Sequence, residues 1–129
     1  MNYCVDTCCY SRMRRGDSIL QELMETADAL IIPIVMVGEL YAGFEMGTRL
    51  SDNIALLDAF LALPSVLVQG VDQRIARRYG KLVKLLRSAG TPIPTNDIWI
   101  AATALESGAT LITYDGHFDC VPELQIEKL

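Results

Sequence analysis

The chain has 129 residues, 51% of them hydrophobic, and a formal net charge of −5. That length holds one well-buried core and predicts a single domain spanning residues 1–129. Its longest apolar stretch, Ala29 to Val37, is broken by Pro33 and falls far short of the roughly 20 residues a membrane-spanning helix needs. Met1 leads straight into a strand-like segment, with no basic or cleavable apolar region ahead of it, which predicts a chain without a secretory signal that stays in the cytosol. Cys4, Cys8, Cys9 and Cys120 lack Cys-x-x-Cys spacing, so they read as reduced and mostly buried thiols rather than zinc ligands or disulfides.

Taken in chain order, Asn2 to Val5 reads as a strand and Cys9 to Arg15 as a short helix ending at Gly16. Asp17 can cap a helix running to about Ala27, and Leu30 to Ile34 reads as the next strand. Val35 to Met46 is helical, with Gly47 near its end, and Leu50 to Leu63 is an amphipathic helix stopped by Pro64. Val66 to Val68 is a short strand. Asp72 caps a helix that ends near Gly90, and the prolines of Thr91-Pro92-Ile93-Pro94-Thr95 forbid helix there. Asp97 to Ser107 is a helix closed by Gly108, Thr110 to Thr113 a strand, and Gln125 to Ile126 an edge strand. Strands separated by helices predict an α/β fold with a parallel sheet covered on both faces.

Four acids stand out against this pattern. Asp6 and Asp115 follow the apolar runs Tyr3-Cys4-Val5 and Leu111-Ile112-Thr113-Tyr114, which puts both at C-terminal strand ends, where sites form in such sheets. Asp97 precedes the nearly all-apolar helix Ile98 to Leu105, whose start therefore lies close to the same sheet edge. Glu39 sits among apolar and small residues in Val37 to Gly43, where an unpaired charge is costly. Taken singly, each has an ordinary structural role: Asp6 and Asp115 as turn residues and Asp97 as a helix-start acid. Together, four carboxylates without basic neighbours repel one another unless a divalent cation lies among them, which points to a magnesium or manganese site.

The basic residues are segregated. Nine of eleven fall in two segments: Arg12, Arg14 and Arg15, and then Arg74, Arg77, Arg78, Lys81, Lys84 and Arg87 within Gln73 to Asn96, a stretch free of acids. On the second segment Ile75, Tyr79, Leu82, Val83 and Leu86 share one side, leaving a basic face. Such a face is often just solvated surface. Beside an acid cluster it suits contact with a phosphate backbone, with Arg12, Arg14, Arg15, Arg74, Arg78 and Lys81 as candidate contacts.

The set Val5-Asp6-Thr7, Gly38-Glu39-Leu40 with Gly43, Asn96-Asp97 followed by Ile100-Ala101-Ala102, and Thr113-Tyr114-Asp115 with His117-Phe118 resembles the PIN-domain nucleases. Within them it is similar to the VapC toxins of bacterial toxin–antitoxin pairs, over essentially the whole chain. The resemblance implies a PIN-like three-layer α/β/α sandwich with a central parallel β-sheet. It also implies magnesium or manganese held by Asp6, Glu39, Asp97 and Asp115, endonucleolytic cleavage of RNA, a tight complex with a small cognate antitoxin, and a homodimer. Thr7 and Thr113 match hydroxyl positions beside the acids, and Asn96 and Asp119 are further candidates for supporting them. Two positions depart from the pattern. Cys8 replaces a small polar residue, and His117 stands where an acid is common.

With one histidine and no Ser-His or Cys-His constellation, a protein nucleophile is disfavoured and water is the expected attacker, activated by one or two cations. Two other classes share this fold pattern. A phospho-acceptor signalling domain wants paired acids after the first strand and a lysine after the last, whereas Asp6 stands alone and Lys128 is the only lysine after the basic helix. A non-catalytic metal- or protein-binding module would keep the same acids without turnover.

Overall fold

Five strands and six helices alternate along the chain in a computed structural model that describes residues 1–129. They are β1 (Asn2–Val5), α1 (Thr7–Arg14), α2 (Ser18–Thr26), β2 (Ala29–Pro33), α3 (Ile34–Met46), α4 (Leu50–Leu61), β3 (Val66–Gln69), α5 (Gln73–Ser88), α6 (Thr95–Glu106), β4 (Thr110–Thr113) and β5 (Ile126–Lys128). A 3₁₀ helix, Gly116–Cys120, lies between the last two. Every pairing is parallel, in the order β3-β2-β1-β4-β5. The chain therefore starts in the middle of the sheet, builds outward through β2 and β3, and crosses back to lay β4 on the other side of β1. That reversal opens a crevice at the C-terminal ends of β1 and β4.

Strand alternation divides the core in two. Tyr3, Val5, Leu30, Ile32 and Ile112 face one side, where they pack with Leu20 and Met24 of α2, Met36 and Leu40 of α3, and Leu57 and Phe60 of α4. Cys4, Ile31 and Leu111 face the other, against Ile75, Leu82 and Leu86 of α5 and Ile98, Ala101 and Ala104 of α6. Burial on both faces explains why these strands read as continuous apolar runs. The result is the three-layer α/β/α sandwich with a central parallel sheet. No helix is long and apolar enough to cross a membrane.

Several boundaries move from their expected places, each for a local reason. Helix α1 begins at Thr7 rather than Cys9 because the Asp6 carboxylate caps it, accepting from the Cys9 amide. Strand β2 ends at Pro33, whose missing N–H ends its part in the ladder, and α3 starts at the next residue. Helix α6 begins at Thr95, so Asp97 lies inside its first turn. Helix α4 stops at Leu61, and β5 runs from Ile126 to Lys128 rather than from Gln125 to Ile126. Gly108, at φ +63°, ends α6 in the left-handed region, with the Ala109 amide reaching back to the Ala104 carbonyl at 3.0 Å. The thiols are free as expected, but only Cys4 and Cys9 are buried; Cys8 and Cys120 are exposed.

Helix α6 is central to the layer it belongs to, since it touches β1, β2, β4 and α5. Its close approach rests on small side chains: Ala101, Ala102 and Ala104 are fully buried. Tyr79 of α5 stacks on Trp99 of α6, ring centroids 3.8 Å apart. Ala102→Leu forces a branched side chain into filled space and is expected to destabilise the fold by about 1–3 kcal/mol. Urea unfolding checks this as a lower midpoint with an unchanged slope.

Candidate active site and metal centre

Strand β1 delivers Asp6 to the crevice, and the turn into α1 fixes its carboxylate. Oδ1 accepts from the Cys9 amide at 2.9 Å, and Oδ2 accepts from the Thr113 hydroxyl at 2.6 Å. Asp6 is only 4% exposed and Thr113 not at all. The Thr113 oxygen in turn accepts from the Asp115 amide at 2.9 Å. One hydroxyl at the end of β4 thus sets both the first acid and the backbone of the fourth. Asp115 caps the 3₁₀ helix, its Oδ1 accepting from the His117 amide at 2.8 Å.

The remaining two acids arrive on helices. Asp97, in the first turn of α6, sits where unpaired helix N–H groups favour a carboxylate. Its Oδ2 lies 3.2 Å from Nδ1 of His117, which is also 3.2 Å from Oδ2 of Asp115. Glu39 projects from α3, and its Oε1 accepts from the Thr7 hydroxyl at 2.7 Å. All four acids act on one neighbouring group: partial burial pushes the Cys8 thiol up, and Asp6, Asp115, Asp97 and Glu39 each push it further. Burial also holds the Asp97 carboxyl above the usual range, with repulsion from Asp115 and Glu39 adding to it and the His117 hydrogen bond opposing.

This chemistry fits a divalent cation. Asp97, Asp115 and His117 offer donor atoms that all lie within 4.8 Å of one another, a spacing one ion spans with donors at about 2.0–2.6 Å. Residue types alone marked the four carboxylates but not the ring of His117 between two of them. The signal was present in the short spacing Asp115-Gly116-His117, since a capping aspartate accepts from the amide two residues on and so sits beside that residue.

The supporting and basic candidates separate. Thr7 and Thr113 bond directly to acids of the cluster. Asn96 is exposed beside Asp97, while Asp119 is exposed and paired with Lys128 Nζ at 2.6 Å, outside the group of donors. Arg12 stacks over Tyr114 at 3.9 Å and pairs with Asp17 at 3.6 Å; Tyr114 itself donates to Asp17 at 2.6 Å. Arg14 bonds the Tyr10 hydroxyl and the Leu56 carbonyl. Arg74 pairs with Asp72, and Arg78 with Glu106 and Glu123. Arg15 and Lys81 are exposed and have no acid partner.

Two outcomes follow from these contacts. Thr113→Val keeps the shape but strips a buried carboxylate oxygen and an amide of their partner, so a loss of about 1–3 kcal/mol is expected in chemical denaturation. Because Asp97 is raised in the folded chain, the folded state holds more protons than the unfolded one between the ordinary carboxylate value and the raised one. Metal-free protein should therefore lose stability as pH rises through that window. Asp97→Asn should remove this slope and melt higher than the parent at neutral pH in chelator, as thermal scans at several pH values would show.

The family model described as PIN domain matches residues 3–124. Ribonuclease VapC4 of Mycobacterium tuberculosis is 30% identical over 101 residues, covering 74% of this chain and 73% of the relative. Ribonuclease VapC2 of Haemophilus influenzae is 30% identical over 131 residues, covering 99% and 98%. Among solved structures, VapBC2 from Rickettsia felis bound to a DNA fragment from their promoter superposes with a TM-score of 0.86 at 27% identity, over 99% of this chain and 98% of that one. VapBC-1 from nontypeable Haemophilus influenzae gives 0.87 at 28% identity over the same shares. With its parallel sheet, its acids gathered at the β1–β4 crevice and these relatives along nearly its full length, the chain belongs to the PIN-domain family, among the VapC ribonucleases.

Proposed function

We propose that this chain is a magnesium- or manganese-dependent endoribonuclease toxin, held inactive in the bacterial cytoplasm by a small cognate antitoxin. The observation that carries this reading is the Thr113 hydroxyl joining Asp6 to the Asp115 backbone, with Asp97 and Glu39 brought to the same crevice on helices. Kinship to proteins named ribonuclease VapC, and to solved complexes named VapBC, supports the nuclease activity and the partner.

Asp6, Glu39, Asp97 and Asp115 would hold the cation, and their oxygens keep the free lone pairs this requires. When bound, the cation acidifies water and neutralises charge on the phosphoryl oxygens. The chain's own part is positional. The Thr7 hydroxyl holds one oxygen of Glu39 and leaves the other free to orient a water. Asp6 is locked by two hydrogen bonds, so its direction does not depend on the ligand. Attack of water on phosphorus breaks the bond to the 3′ oxygen, leaving a 5′-phosphate and a 3′-hydroxyl. Arg15 and Lys81, without acid partners, are the best placed of the six basic candidates to meet RNA phosphates; Arg12, Arg14, Arg74 and Arg78 would first have to leave their present partners. A basic side chain from the antitoxin would satisfy the same four acids and block the crevice. The active unit in this reading is a homodimer.

Cleavage of total bacterial RNA by the purified, partner-free protein tests the reading, with either metal, with chelator and with Asp6→Asn. Asparagine keeps the cap of α1 through its oxygen but sets its amide nitrogen against the Thr113 hydroxyl, so circular dichroism of the variant accompanies the assay to show that it is folded. Its cleavage should fall at least about 100-fold, as expected for loss of a metal ligand. Discrete products that vanish with chelator and with the variant are the expected result, and undiminished cleavage by Asp6→Asn would overturn the site.

A further inference from the structure

His117 is the only histidine in the chain, and although its side chain is 53% exposed, its ring lies across the acids. Nδ1 stands 3.2 Å from an oxygen of Asp97 and 3.2 Å from an oxygen of Asp115. A shared N–H accounts for these distances in the metal-free state. They also suit donors on one ion, because two ligands at right angles, each about 2.2 Å from a metal, stand about 3.1 Å apart. The backbone holds this arrangement in place. The His117 amide occupies Asp115 Oδ1, which leaves Oδ2 toward the ring. The Asp115 amide is bound to Thr113, and Phe118, next to the histidine, is 1% exposed in the core beneath.

We propose that His117 Nδ1 is a ligand to the cation of this site, which gives the chain a mixed nitrogen–oxygen donor set and a preference for a first-row transition ion such as manganese over magnesium. The proposal rests on the reading that Asp97 and Asp115 bind a divalent cation. Magnesium holds to oxygen donors and water, whereas transition ions accept imidazole. An acid at position 117 would add charge and favour hard ions; an imidazole adds none and selects by softness.

The single histidine makes the test specific. Untagged protein is titrated with manganese, bound ion is counted by electron paramagnetic resonance, and pulsed measurements look for nitrogen-14 coupling of imidazole strength. The parent protein should show that coupling. His117→Gln should lose it and bind manganese at least roughly tenfold more weakly, as expected for disruption of a metal's ligand set. Magnesium affinity, read by competition, should stay within about twofold because magnesium takes its ligands from oxygen. Manganese bound by the parent without nitrogen coupling, or bound by His117→Gln as tightly as by the parent, would overturn the ligation and leave the carboxylate metal centre standing. Folded parent protein that binds neither ion would overturn both readings. The parent's spectrum alone decides the matter should the variant fail to fold.

Discussion

The hydroxyl of Thr113 is the contact on which the rest of the site depends. It donates to Asp6 and accepts from the amide of Asp115, in a place with no solvent exposure. In such surroundings a hydrogen bond to a charged oxygen is strong and an unmet one is costly. The bond therefore does two tasks at once. It makes a buried carboxylate tolerable at the end of β1, and it fixes the backbone from which Asp115 and His117 project. Glu39 and Asp97, carried by helices on opposite faces of the sheet, are then added to an arrangement already set by the two central strands.

Aspartate is used throughout this chain as a cap, and only some caps are chemical. Asp6, Asp17, Asp72 and Asp115 all accept from an amide at the start of the following turn. Asp17 and Asp72 lie below the usual carboxylate range, chiefly through hydrogen bonds from the Tyr114 hydroxyl and the Ile75 amide respectively, with the nearby Arg12 and Arg74 adding to it. Asp6 and Asp115 have no such neighbour and face other acids. The same local geometry thus places one pair beside arginines and the other among acids. The acids that bind arginine help place the helices, whereas those that meet each other have no arginine or lysine beside them.

Much of this was legible from residue order alone. The apolar runs marked the strands, and the acids at their ends marked the sheet edge where the carboxylates gather, because alternation and burial are written locally. Asp72 and Gly108 announced a helix start and a helix end through cap chemistry that needs no tertiary partner. What stayed hidden depends on contacts far apart in sequence. Helix α1 was expected two residues late because Asp6 was read as a site acid and not also as a cap. The engagement of Arg14 by the carbonyl of Leu56, and of Arg78 by Glu106, could not be seen from a helical wheel, which shows a face but not what meets it. Cys8 and Cys120 were expected inside on composition, yet one lies at the rim of the crevice and the other at the end of a short turn. His117 stood out as a departure from the expected acid, but its contact with Asp97 depends on how the start of α6 folds against this turn, which residue order does not show.

The order of strands also dictates when activity can arise. Strand β1 is made well before its partner β4, since Asp6 and Thr113 lie 107 residues apart. Contacts this remote close slowly, since a long loop must be ordered before any of it is repaid. A chain still emerging from the ribosome can pair β1 with β2 and pack the first four helices, yet it has neither Thr113 to seat Asp6 nor Asp115 beside it. A nascent chain therefore lacks the full acid cluster until Thr113 and Asp115 have been made. The complete cluster exists only once both central strands are in place.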